Sequence, residues 1–250
     1  LPKGERIRSA MRDAVLHEEN KISLLGLLDV NPAVISGFTV TGVLLVFALL
    51  VRLFFVPRMK TVPGKFLLES AVGYFDGLAK EGSPHRNRFL GGYVFAAGAY
   101  IFIGTLFELF GVQAVTTRGL SVALPAPLSD INAAISLGCL SYLVILSGGI
   151  AGNGLRGVGN TLKEFSLPIS MSFRLFGALL SGLLVTELVY YYVHLSFVLP
   201  VAVGVMFTLL HALIQTYVLT MLTTLFYGEV SEPHPKKAKK SKSKTKKAAA

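Results

Sequence analysis

The chain has 250 residues, 52% of them hydrophobic and only 15% charged, with a mean hydropathy of +0.61; that balance excludes an ordinary soluble domain and fits a polytopic helical membrane protein. The formal net charge of +10 would suggest a nucleic-acid partner, but eight of the lysines stand in one tail, Lys236 to Lys247, so no nucleic acid is implied. Cys139 is the single cysteine, which rules out an intrachain disulfide and a cysteine-based metal site.

Residues 1–32 are polar, mixed in charge and without the apolar core of a secretory signal, and read as a surface segment. A start at Leu1 without methionine suggests processing or trimming, a removed organelle-targeting peptide being one explanation. Ala33 to Val51 is uncharged, bounded by Asn31-Pro32 and Arg52. At 1.5 Å per residue it covers about 28 Å, close to one hydrocarbon core. The connection from Arg52 to Arg88 is basic. Within it, residues 64–81 carry a helical apolar stripe that suits either an interfacial amphipathic helix or a packed connecting helix. Phe89 to Phe107 is a second uncharged run, ended by Glu108 and rich in the small residues that permit tight helix packing. Residues 111–130 read as a loop, residues 131–148 as a third span, and residues 148–159 as a glycine-rich turn made basic by Arg156 and Lys163 just after it.

A fourth span covers 165–193. No Asp, Glu, Lys or Arg occurs from Leu188 to Gly228, too long for one upright crossing. A break at 194–200 leaves a fifth span over 200–227. The expected architecture is therefore all-α, with about five membrane helices at 33–52, 89–110, 131–148, 165–193 and 200–227. The last two are long and tilted. Residues 33–228 form the membrane domain, and 229–250 a basic, low-complexity, disordered tail. Five spans place both basic connections and the lysine tail on one side of the membrane. The tail suits a solvated segment, with acidic lipid or a neighbouring subunit as the alternative contact.

No phosphate-binding loop, nucleophile elbow or paired metal-ligand motif is present, so the chain is not expected to break a covalent bond alone, and no cofactor or metal is expected. What remains is a set of polar groups in apolar surroundings: Glu108, Asp130, Asn132, Arg174, Glu187, His211 and Gln215. A guanidinium cannot shed its charge by deprotonation, and at the centre of a membrane helix it costs at least ~2.5–3.5 kcal/mol. Gly177, Ala178, Ser181 and Gly182 follow Arg174 at i+3, i+4, i+7 and i+8. They line its face with small side chains, a groove along which another helix could approach the charge. His211 and Gln215 are i, i+4 on one helix face. Glu187 lies about 20 Å along the helix from Arg174, too far for a direct pair. Simpler roles stand beside these: interfacial anchors for Glu108 and Asp130, a packing histidine, a helix-bridging glutamine.

The motif P-I-S-M-S-F-R-L-F-G, the later L-I-Q-T-Y-V-L-T-M-L-T-T-L-F-Y, V-P-G-K before an amphipathic helix, and L-S-D-I-N at 128–132 together resemble subunit a of F-type ATP synthases over residues 33–228. The resemblance implies two tilted helices wrapped against a rotor ring of c subunits, with peripheral-stalk and other membrane subunits as further partners. It also implies two offset half-channels and an arginine, here Arg174, between them facing the rotor carboxylates. Gln215 matches the family's glutamine near the arginine; Asp130, Asn132 and Glu108 become candidate access-channel residues. Where the family commonly carries polar groups, this chain has Ala178, Leu183 and Thr208. Glu187 and His211 are then expected to form the family's acid–histidine pair in shifted form. The resemblance implies an energy-transducing membrane, with the mitochondrial inner membrane favoured over a bacterial plasma membrane, and leaves proton versus sodium open, the proton being preferred. The competing readings are a stand-alone transporter or channel whose Arg174 binds an anion, against which stands the lack of an internal repeat, and a purely structural scaffold.

Overall fold

The computed structural model of the protein describes residues 22–24, 28–55, 65–85, 89–115, 121–163, 166–192 and 198–232. The remainder, including the lysine tail and most of the N-terminal segment, lies outside the described residues. A three-residue hairpin, β1 (Ile22–Leu24) with β2 (Leu28–Val30), precedes helix α1 (Pro32–Leu50). Asn31 caps this helix by accepting the Ala33 N–H at 2.9 Å. Pro32 occupies the first turn, where a missing N–H costs nothing. The helix is apolar all round, as a lipid-facing span must be, and runs into a π-helical turn, Val51–Phe55.

Helix α2 (Lys65–Gly82) packs over its last turns, where Leu78 and Ala79 are buried, while Phe66, Val72 and Tyr74 in its earlier turns are exposed. Helix α3 (Leu90–Phe107) ends in a 3-10 turn, Glu108–Phe110. The expected 111–130 loop contains a second small hairpin, β3 (Gln113–Val115) with β4 (Ser121–Ala123), and a 3-10 turn at Pro127–Ser129. Helix α4 follows at Ile131–Asn153, α5 at Leu155–Lys163, α6 at Ser166–Tyr192 and α7 at Val198–Ser231.

Among the described residues, four helical stretches are long and apolar enough to cross a membrane: Pro32–Phe54, Leu90–Phe110, Ile131–Asn153 and Gly204–Ser231. The fifth long helix is α6, whose 27 residues extend about 40 Å, more than one hydrocarbon core. The glycine-rich turn expected at 148–159 is corrected. Helix α4 continues through these glycines to Asn153, reverses at Gly154 (φ 60°), and α5 folds back along it, with the Tyr142 hydroxyl donating to the Thr161 carbonyl at 3.0 Å. Gly148 and Gly149 are buried helix-packing positions, which is why their sequence signal imitates a turn.

Two apolar clusters hold α3, α4 and α7 together. One gathers Leu78, Leu90, Val94, Ile145, Tyr227 and Val230; the other gathers Ala97, Ile101, Leu128, Ala134, Leu175 and Leu219. At the end of α7, backbones meet with no room for side chains. A Cβ on Gly82 would come within 2.9 Å of the Thr224 carbonyl carbon, and one on Gly152 within 2.9 Å of Ser231 Cα. Asn153 closes this end by donating from Nδ2 to the carbonyls of Val230 (3.1 Å) and Glu232 (2.8 Å). At the opposite end, Asn31 Nδ2 donates to Asp130 Oδ2 at 3.1 Å, joining the starts of α1 and α4.

The close backbone contact yields a contrast. Gly152→Ala meets backbone that cannot move aside and should cost about 1–3 kcal/mol, seen as a lower unfolding midpoint in detergent. Gly73→Ala, on the exposed side of α2 with nothing within 4 Å of its Cβ, should raise the midpoint slightly through helix propensity. Equal shifts for both would refute the packing account.

Candidate functional site

Helices α6 and α7 run antiparallel and meet along one stripe. On α6, Met171, Ser172 and Leu175 are buried toward α4 and the core, whereas Ile169, Phe173, Arg174, Gly177 and Ser181 face outward. Past Leu175 on α6, and before Ala212 on α7, no described residue is buried. The two helices therefore leave the bundle as a pair.

Arg174 stands where this pair leaves the bundle, exposed, beside Phe173 at 63% exposure. Among the described residues its guanidinium has no ion-pair partner. Backbone, not side chain, fixes the arginine. Gln215 is 8% exposed, and its Nε2 donates to the Arg174 carbonyl at 3.3 Å. This tie leaves the guanidinium free to turn outward while its Cα stays pinned to α7.

The small-residue groove divides. Gly177 and Ser181 lie on the arginine's outward side, and nothing described comes within 4 Å of a Cβ at Gly177. Gly182 turns inward instead, where a Cβ would come within 3.0 Å of the Phe207 ring of α7. Eight residues turn a helix by about 800°, which carries position 182 some 80° off the arginine's direction. The side chain of Ala178 lies outside the described residues, as do those of Leu183 and Glu187.

Along α7 the stripe facing α6 reads Phe207, His211, Gln215, Leu219, one residue per turn. His211 stacks on Phe207 with ring centroids 5.2 Å apart and planes 24° from parallel. Its Nε2 is enclosed and, among the described residues, has no hydrogen-bond partner. An enclosed ring nitrogen without a partner is a costly arrangement unless a transient donor or acceptor visits it. The pairings Arg174 with Gln215 and Gly182 with Phe207 set the antiparallel register and bring Ala178 level with His211. Continued along α6, this register places Glu187 level with Ala202, nine residues from His211, about 13 Å along the axis. The side chain of Glu187, one half of the expected acid–histidine pair, lies outside the described residues.

The remaining expected residues sit apart from this seam. Asp130 caps α4, accepting the Asn132 N–H at 2.8 Å on Oδ1 and the Asn31 amide on Oδ2. Both its oxygens are committed to helix starts. Asn132 is exposed beside it, and its carbonyl accepts from the Ser136 hydroxyl at 2.7 Å. Glu108 is exposed in the 3-10 turn after α3. Sequence reasoning missed Phe207, although its i, i+4 spacing before His211 was the available signal. It also missed Asn153, whose role in closing α7 has no signal of its own, because the partners are distant carbonyls.

A guanidinium held by its backbone, on an unfilled outward face, with a histidine and a glutamine stepping along the neighbouring helix, is suited to meeting an anionic group that approaches from outside the chain. A family model described as ATP synthase A chain matches residues 37–228. That stretch contains the whole α6–α7 seam, and the chain belongs to this family, as a multi-pass membrane subunit with a role in ion translocation.

Proposed function

We propose that the chain is the ion-conducting stator subunit of an F-type ATP synthase, non-catalytic itself, with the outward face of α6 and α7 against a ring of rotor carboxylates and the proton as the coupling ion. The observation that carries this reading is the exposed Arg174, held through its carbonyl by Gln215 and left without an ion pair among the described residues. A charge that cannot be neutralised by deprotonation is worth maintaining next to lipid only if a counter-charge arrives there. A rotor carboxylate crosses the bilayer neutral. Beside the guanidinium its charged form is favoured, so it releases its proton there. The same fixed positive charge repels a proton attempting to pass directly between the two half-channels.

The seam distributes the roles. Gln215 positions Arg174, and its loss frees the backbone without removing the charge. His211, with its enclosed Nε2, is the candidate relay on one approach to the arginine. Glu187, further along α6, lies on the same helix pair at another level, so any exchange between the two passes through water. Asp130, with both oxygens occupied, serves as a helix cap beside an access path that Asn132 and Glu108 are free to line. Gly177, with nothing described within 4 Å of a Cβ there, gives rotor helices room to approach. The assembled complex supplies the remaining partners, including the peripheral stalk, in an energy-transducing membrane, the mitochondrial inner membrane by preference.

In the assembled, reconstituted complex, Arg174→Ala should abolish ATP-driven proton pumping while ATP hydrolysis in the soluble part persists; retained pumping would reject the mechanism. Gln215→Leu should lower pumping several-fold without abolishing it, because about 1 kcal/mol of positioning hydrogen bond is lost while the charge remains; loss as complete as that of Arg174→Ala would mean the glutamine acts on the ion itself. Glu187→Leu and His211→Leu should each impair pumping. Because the two stand at different levels, the double variant should be worse than either single one. An identical defect in all three would restore the contacting pair.

A further inference from the structure

Two turns before Gln215 on α7, Phe207 meets α6 at Gly182. A Cβ on Gly182 would come within 3.0 Å of the phenyl Cε1 and 3.1 Å of its Cδ1, closer than carbon atoms ordinarily pack. One edge of the ring therefore occupies space that the missing side chain leaves open. By its face the same ring stacks on His211, one turn further along α7, with centroids 5.2 Å apart and planes 24° from parallel. That separation lies within the range of aromatic stacking. Phe207 is thus held between a glycine of one helix and an imidazole of its own.

An imidazole turns about its terminal torsion in a broad, two-fold well. A proton passes to or from a ring nitrogen only when the partner atom comes within about 2.6–3.2 Å of it. A histidine that relays protons therefore needs its plane fixed. A hydrogen bond to a ring nitrogen is the common means, but His211 Nε2 is enclosed and has no such partner among the described residues. Arg174 stands one turn away, level with Gln215, and no charged residue stands on α6 between Arg174 and Glu187. No charge at the level of His211 on α6 orients it either. The phenyl face remains, and it suits both forms of the ring: a neutral imidazole by stacking, and an imidazolium by attraction to an aromatic face within about 6 Å. We propose that Phe207 is a positioning residue for ion transfer, fixing the plane of His211, with Gly182 as the socket that fixes Phe207 in turn. This inference rests on the reading of His211 as a relay.

The test measures ATP-driven proton pumping in the assembled, reconstituted complex, at equal content of this chain. It also records magnetic resonance of the full chain with labelled histidines, His211 being identified by the signal lost in His211→Gln. The His211 ring protons should lie upfield through the ring current of Phe207. Phe207→Leu, which keeps apolar bulk without a π face, should remove that displacement and lower pumping several-fold; Phe207→Tyr should restore both. Gly182→Ala gives a second route, since its methyl group displaces the phenyl ring: it should move the same resonance and lower pumping. Combined with Phe207→Leu it should do no further harm, because the glycine acts only through the ring. Additive losses in the double variant overturn the proposal, as does a His211 resonance that Phe207→Leu leaves in place. Normal pumping in Phe207→Leu beside impaired pumping in His211→Leu overturns the positioning role alone. Normal pumping in His211→Leu instead rejects the relay reading on which that role rests.

Discussion

Everything at the α6–α7 seam depends on how closely backbones approach at the far end of α7. Gly82 and Gly152 let α2 and α4 touch that helix with no intervening side chain. Close backbone contact is how helices cohere where lipid removes the hydrophobic drive for association. With its last turns fixed, α7 carries Gln215 at a set height and rotation. Gln215 in turn holds the Arg174 carbonyl. The position of one permanent charge thus traces back, through one amide hydrogen bond, to glycines far from it in the sequence.

This chain of dependence separates holding from doing. The buried faces of α3, α4 and α7 pack apolar residues with hydroxyls that mostly satisfy themselves on their own helix. Thr220 and Thr223 donate to the carbonyls of Thr216 and Leu219 at 2.7 and 2.8 Å. Such groups fill volume in an apolar interior without needing a distant partner. The seam of α6 and α7 is different. There Arg174 is turned outward, Gln215 is spent on the Arg174 carbonyl, and His211 Nε2 is enclosed without a partner among the described residues.

Much of this was legible in the residues. Asn31-Pro32 announces the start of α1 because a cap followed by proline satisfies the first turn, and S-D-I-N does the same for α4. Uncharged runs about one bilayer long announced the spans, and Arg174 announced itself by its cost. Rotation and register were not legible. Helix α7 is apolar nearly all round, so no stripe tells which side faces α6. Spacing alone therefore groups Gly182 with Gly177. Glycines at 148–152 imitated a turn because the same lack of a side chain serves a bend and a tight helix contact. The tie from Asp130 to Asn31 was not legible either, because its two partners lie 99 residues apart.

Helix α7 is anchored over its latter half, while its first half leaves the bundle only in the company of α6. In mechanical terms the pair is a cantilever whose root lies near Ala212 to Thr216, where burial begins. A sideways load displaces the free tip most and the root least, and Gln215 joins the two helices at the root. The projecting part can therefore flex while the backbone that carries Arg174 shifts little.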